Sequence, residues 1–295
     1  MDPDLQQERR RLLSLGYRMT GTLADAEDVV QETYLRWYRL GEDERAAITN
    51  PAGWLTRVAS RVALDVATSA RARREHAAGQ WLPEPVPADL FAGTAATPVD
   101  PADRVTLDDA VSGALLLVLE SMTPAERVAF VLHDVFAVPF PEIAEVVGRS
   151  PAATRQLATS ARRHVREHRS AMVSQEEHAR AVQAFLAAAG SGDLVQLTAA
   201  LAPEVTLRSD GGGVVNVAQR VVHGPDRVAR FLLGLLAKRP GLQLHEEVTA
   251  DGLGYRLTAE GRTYGMATFR VEGGRVADVR FVLDPAKLTS WRQRG

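Results

Sequence analysis

The sequence predicts a multidomain chain, with two all-α domains in its amino-terminal half and an α+β domain at its carboxyl end. Three observations predict this. Apolar residues recur at helical spacing along the first half of the chain, most clearly from Met122 to Arg169. A stretch with Pro83, Pro85, Pro87, Pro98 and Pro101 interrupts that pattern and reads as an extended linker. Late in the chain, β-type runs alternate with the hairpin turns Asp251-Gly252 and Gly273-Gly274.

Composition sets outer limits. A chain of 295 residues has room for two or three domains. Its 45% hydrophobic and 24% charged content is that of a soluble globular protein. A net charge of -2 shows no overall basicity, so the uneven distribution of charge matters more. The absence of cysteine excludes disulfides and thiolate metal sites. Neither a metal nor a cofactor is expected. No apolar run reaches the roughly 18 residues of a membrane-spanning helix. The start MDPDLQQERRR is no signal peptide, so a cytoplasmic protein without a membrane partner is expected.

Residues 5–40 read as helix, with Leu12, Leu15, Met19, Ala26, Val29, Val30, Thr33, Leu35 and Trp37 at helical spacing. The middle of this run is acidic, carrying Asp25, Glu27, Asp28 and Glu32 around Gln31. Acid near a helix start favours the macrodipole. The same face also suits docking of a basic partner. Asn50-Pro51 then starts a helix that runs to Glu75. It carries Trp54 near its start, and Arg57, Arg61, Arg71, Arg73 and Arg74 against one interior acid, Asp65. That composition suits phosphate contact plus stacking on an opened nucleic-acid strand. It equally suits a core tryptophan and a basic helix end.

In the linker, Trp81, Leu82, Leu90 and Phe91 are too apolar for a free tether, and packing on a neighbouring domain is expected. Leu107–Leu119 is a strongly apolar helix. The segment PFPEIAEVVGRSPAATRQLATSARR follows, with Ile143, Ala144, Val146 and Val147 on an inward face. Gly148 terminates one helix, and Ser150-Pro151 caps and opens the next. A helix, a tight glycine turn and a second helix bearing basic residues make a helix-turn-helix. An ordinary αα-hairpin has the same outline. On the second helix Ala152, Ala153, Thr154, Arg155, Gln156 and Thr159 lie near the entering end. Arg155 and Gln156 are the side chains suited to bidentate reading of guanine and adenine. Arg149, Arg162, Arg163 and Arg166 suit phosphates.

After residue 169 the character changes. Helices are expected at His178–Ala189 and Asp193–Leu201, then Glu204–Arg208, a glycine turn Asp210–Gly213 and a strand Val214–Val222. A helix at Pro225–Arg239 precedes strands Leu242–Ala250, Leu253–Ala259, Thr263–Glu272 and Arg275–Leu283. Helices followed by a curved antiparallel sheet make an α+β domain. Asp210, His223, His245 and Tyr255 are its candidate acid–base groups. A lone histidine in a strand is usually structural, and an aspartate beside three glycines is usually a turn residue. No catalytic residue is assigned.

Together these segments resemble a sigma factor of the extracytoplasmic-function (ECF) type. DAEDVVQETYLRWY (Asp25–Tyr38) resembles the family's polymerase-binding helix, and NPAGWLTRVASRVALD (Asn50–Asp65) its strand-opening helix. The pattern LxxxTPxER from Leu119 to Arg127, followed by EIAEVVGRSPAATRQLATSARR, resembles its second DNA-binding domain. Trp81, Leu82, Pro83, Glu84 and Pro85 (WLPEP), with Asp210, Gly211, Gly212 and Gly213 (DGGG) and LDPAKL at Leu283–Leu288, resemble a subgroup carrying a fused SnoaL-like cone related to NTF2. One departure is Arg61, where many such proteins have asparagine.

The resemblance implies four segments: sigma region 2 at 5–76, a linker at 77–106, sigma region 4 at 107–170, and a SnoaL-like regulatory domain at 176–288. It implies that Asp25, Glu27, Asp28, Gln31 and Glu32 meet core RNA polymerase. Trp54, Arg57, Arg61, Arg71, Arg73 and Arg74 would meet the −10 promoter element. Arg149, Ser150, Ala152, Thr154, Arg155, Gln156, Thr159, Arg162 and Arg163 would meet the −35 element. The WLPEP and DGGG residues would be interdomain and regulatory, in a domain acting in cis that leaves room for an unidentified small ligand. Two other readings stay open: a one-component ligand-sensing regulator, and a bifunctional protein with an enzymatic pocket.

Overall fold

In the computed structural model of the chain, residues 3–75, 80–91, 94, 113–168 and 173–292 are described. They fall in two compact units: Met1–His76 with Phe91–His168, and Ala77–Leu90 with Arg169–Gly295.

The described elements of the first unit are helical. Two helices, α1 (Pro3–Thr20) and α2 (Leu23–Arg39), stand where periodicity suggested one. Gly21, at φ +80°, ends α1, and the Thr22 hydroxyl caps α2 by accepting from the Asp25 amide at 3.2 Å. The two helices pack closely at Gly16, where a Cβ would lie 2.9 Å from Ala26 Cα. After a short α3 (Glu42–Ala46), the Asn50 side chain caps α4 (Pro51–Glu75) by accepting from the Gly53 amide at 3.0 Å. Leu12, Leu15, Met19, Ala26, Val29, Leu55, Ala59 and Ala63 are buried, which accounts for the helical repeat of apolar residues.

The later helices of this unit are α5 (Gly113–Ser121), α6 (Pro124–Phe130), α7 (Phe140–Val147) and α8 (Pro151–His168), with a single π turn at Val131–Val135 after α6. The first part of the helix expected at Leu107–Leu119 lies outside the described residues. Reciprocal hydrogen bonds between Thr123 and Glu126 form a capping box that starts α6. Within the unit, buried Arg127 of α6 donates from Nε to the Arg18 carbonyl of α1 at 2.9 Å and pairs with Glu120 at 2.7 Å. Arg18 is itself buried beside the Phe91 and Phe136 rings, and burial lowers its pKa to about 10.

The second unit is an α+β cone. It opens with α9 (Gln175–Ser191) and α10 (Leu194–Ala199). Then follow β1 (Leu201–Asp210), β2 (Val222–His223), α11 (Pro225–Ala237), β3 (Gln243–Thr249), β4 (Gly252–Ala259), β5 (Arg262–Glu272), β6 (Arg275–Val282) and α12 (Thr289–Arg292). The sheet order is β2-β1-β6-β5-β4-β3. The expected antiparallel sheet is in fact mixed, because β1 and β6 run parallel. The chain leaves β1 for one edge, crosses through α11 to the other edge, and meanders back until β6 lands beside β1. The strand expected at Val214–Val222 shrinks to Val222–His223. The Val214 and Val215 amides are both committed to the Gly211 carbonyl, at 3.0 and 2.9 Å, which makes a turn instead. Val182, Phe185, Leu197, Val205, Leu207, Val228, Leu232, Phe269 and Val279 pack together between the helices and the sheet.

Candidate functional site

The helix-turn-helix is built as its punctuation requires. Gly148 takes the left-handed conformation at φ +65°, and its amide and that of Arg149 both return to the Ala144 carbonyl. The Ser150 hydroxyl accepts from the Ala153 amide at 3.2 Å and starts α8. Thr154, Ala158, Ala161 and Val165 form the buried stripe of α8. These alanines are therefore core, small enough for α8 to lie close against α6. The opposite side is open: Ala152, Arg155, Gln156, Thr159, Ser160, Arg163 and Arg166 line one groove. Arg149 and Ser150 are exposed at the turn.

Two of the DNA contacts expected on α8, Thr154 near the entering end and Arg162 for phosphate, are otherwise engaged. Thr154 is 0% exposed, and its hydroxyl donates to the Ser150 carbonyl at 3.0 Å. Arg162 is half-buried, bound through Nε to Asp134 at 2.7 Å and through Nη2 to His133 Nδ1 at 3.3 Å. Both hold the motif together instead of facing outward.

The arginines of α4 are placed differently. Arg57 lies 3.6 Å from Glu142 and 3.6 Å from Glu145, both on α7. Arg61 donates to the Glu145 carbonyl at 3.3 Å. Trp54 is half-buried and meets Trp37 of α2 edge-to-face at 5.2 Å. The side chains of Arg71, Arg73 and Arg74 lie outside the described residues.

On α2, Glu27, Asp28 and Gln31 are exposed. Glu32 pairs with Arg36 at 2.8 Å, and the Asp25 carboxylate accepts from the Thr22 hydroxyl at 2.8 Å, so Asp25 is partly a capping residue. Leu35, expected in the core, is 45% exposed, and Tyr38 is 63% exposed. With Arg9, Glu27, Val30, Gln31 and Tyr34 they line a groove that combines acid with apolar surface. The apolar half of this face is absent from the sequence-based assignment. Its signal is the spacing of Gln31, Leu35 and Tyr38 along one side of α2.

The WLPEP segment belongs to the second unit and lies against its sheet and carboxyl end. The Leu82 amide donates to Asp210 Oδ2 at 2.9 Å. Lys287 Nζ donates to the same oxygen at 2.6 Å and to the Leu82 carbonyl at 2.7 Å, beneath the Trp81 ring. Trp291 Nε1 donates to the Pro85 carbonyl at 2.7 Å. Beyond Pro85 the strap pairs with the sheet edge, through Ala250 N to Val86 O and Ala88 N to Val248 O. Leu82, Glu84, Val86, Asp210, Lys287 and Trp291 are all buried. The glycines of DGGG have separate reasons. A Cβ on Gly211 would strike the Val215 carbonyl at 2.1 Å, and Gly212, at φ +60°, sits against the Asp284 carboxylate. Pro83 lies within the strap, and Gly213 takes φ +73°.

Sigma-70 region 2 matches residues 5–74, and sigma-70 region 4 matches residues 112–165. The chain is 45% identical over 238 residues to the ECF RNA polymerase sigma factor SigJ of Mycobacterium tuberculosis, covering 79% of this chain and 73% of that one. The chain belongs to the ECF sigma factors. It is also 35% identical over 285 residues to the probable ECF sigma factor SigI of the same species, covering 96% and 93%. The crystal structure of M. tuberculosis SigJ matches with a TM-score of 0.72 at 35% identity, covering 97% of this chain and 98% of that one. As an ECF sigma factor, the chain binds core RNA polymerase and directs transcription initiation at particular promoters.

The acid–base candidates of the cone do not converge. Asp210 is committed to Lys287 and Leu82. His223 and His245 stand on β2 and β3, the two opposite edges of the sheet. The Tyr255 hydroxyl donates to Glu246 at 2.9 Å, and burial followed by that bond raises its pKa. No helix among the described residues is long and apolar enough to cross a membrane.

Proposed function

We propose that this sigma factor reads the −35 element with the open face of α8, meets the −10 element with α4, and meets polymerase with α2. The observation that carries the −35 assignment is the sidedness of α8. Its inward stripe is small and buried, with the Thr154 hydroxyl internally satisfied, while Arg155, Gln156, Thr159 and Arg163 face outward together. Arg155 and Gln156 read base edges, and Arg149 and Arg163 hold phosphates. Arg57 and Arg61 serve the −10 element once they leave the acids and carbonyl of α7. Glu27, Asp28 and Gln31, with Leu35 and Tyr38 beside them, form the polymerase face. Its charge favours a basic partner and its apolar part adds buried area.

The carboxy-terminal cone acts in cis, in the cytoplasm with the polymerase. Its support is the strap: the segment joining the two helical domains is held on the cone by Asp210, Lys287 and Trp291. Releasing it changes the reach available to the two promoter contacts. A non-enzymatic, strap-holding role is supported by the dispersed acid–base groups and by the side chains that fill the space between helices and sheet. A small ligand is not required by this role.

The test is transcription by core polymerase at fixed sigma concentration. Asp210→Asn, which removes the charge that pairs Lys287, and the milder Trp291→Phe should both alter promoter output. Output unchanged by both would remove the cis-acting role.

A further inference from the structure

The Phe140 ring meets two other side chains. The His133 ring is stacked 4.0 Å away at an interplanar angle of 21°. The Arg155 guanidinium carbon lies 5.2 Å from the same ring's centroid. The stack is anchored: Arg162 donates to His133 Nδ1 at 3.3 Å and to Asp134 at 2.7 Å. Arginine can only donate, so His133 accepts at Nδ1 in this arrangement. The ring has little backbone freedom, because Phe140 opens α7 between Pro139 and Pro141. Among the described residues Arg155 has no acidic partner, and it lies on the open groove of α8. Among the described residues, Phe140 is the ring its guanidinium meets.

We propose that Phe140 is a positioning residue for base recognition: its ring, stacked with His133, aims the Arg155 guanidinium before DNA arrives. A free arginine reaches phosphates and base edges alike, and it loses rotamer freedom when one geometry is selected. Stacking on an aromatic face fixes the plane of the guanidinium, which bidentate reading of a guanine edge requires. Phe140 therefore supplies selectivity at one base pair while adding little to overall affinity. This rests on the reading of Arg155 as a base reader.

The test is run-off transcription by core polymerase with the full chain, on promoters that differ singly across the −35 element. Phe140→Leu should reduce the preference at the position read by Arg155 by about two- to fivefold, the range of an exposed cation–π contact. Preferences elsewhere should stay as they are. Phe140→Tyr should keep the preference, and Phe140→Leu should add nothing in an Arg155→Ala background. Arg155→Lys, which keeps the charge without the planar face, should flatten the same position and carries the test if Phe140→Leu does not fold. Undiminished preference in Phe140→Leu, or equal loss at every position, would overturn the inference. If Arg155→Ala relaxes one position and Phe140→Leu none, only the positioning role fails. If Arg155→Ala relaxes no position, the reading of Arg155 fails as well.

Discussion

Two helices of the first unit carry arginines suited to DNA, and the two sets are engaged to different degrees. On α8, Arg155 and Arg163 stand on an open groove. On α4, Arg57 and Arg61 are engaged by Glu142 and Glu145 of α7. The difference follows from where each helix sits. The buried stripe of α8 turns its polar side away from the unit, whereas α4 lies against α7 and meets its acids. One helix-turn-helix therefore holds both features: its second helix carries outward polar and basic side chains, and its first helix occupies two arginines of α4. On the proposed assignment, the −35 face is open in this arrangement, while the −10 arginines would first leave Glu142 and Glu145.

The largest expected effect comes from removing what seats α6 on α1. Arg127→Ala leaves Glu120 without its buried partner and the Arg18 carbonyl without a donor. A loss of about 3–5 kcal/mol in denaturant unfolding is expected. A loss below 1 kcal/mol would show that the seat is incidental. Next in size, Arg155→Ala should cost roughly 1–3 kcal/mol at one −35 base pair, measured by competition between promoter variants. Equal loss on all variants would assign Arg155 to phosphate instead. The smallest effect belongs to the exposed pairs on α7. Glu142→Gln with Glu145→Gln removes contacts worth about 0.2–1 kcal/mol each. Binding of the isolated chain to a −10 single strand should strengthen modestly, and the gain should fade as salt rises. Stronger binding to the −35 duplex instead would erase the contrast between the two helices.

Local chemistry was readable in the sequence, and distant partners were not. Gly148, Ser150 and Pro151 define the turn because caps are decided within a few residues. Arg162 looked like a phosphate contact because its partner Asp134 stands 28 positions earlier, with no local signal. Ala158 and Ala161 carry no polar group that could read a base. Their spacing with Thr154 and Val165 marks a buried stripe, which becomes clear once α6 is placed against it. Leu35 followed the core repeat of α2 but falls beyond the width that α1 and α4 cover. In the cone, the hairpin turns located β3 to β6. The parallel pairing of β1 with β6 depends on topology that no short segment encodes. Asp210 sits beside glycines and looked like a turn residue. Its Oδ1 does accept from the Gly212 amide at 2.9 Å, while its other oxygen holds Lys287, 77 positions away.

On the proposed reading, α8 and α4 serve separate promoter elements on one polymerase. Run-off transcription by core polymerase tests it directly, using Arg155→Ala and an Arg57→Ala, Arg61→Ala double variant on promoters altered in the −35 or the −10 element alone. Arg155→Ala should change only the response to −35 alterations, and the double variant only the response to −10 alterations. Both variants changing the response to the same element would contradict it.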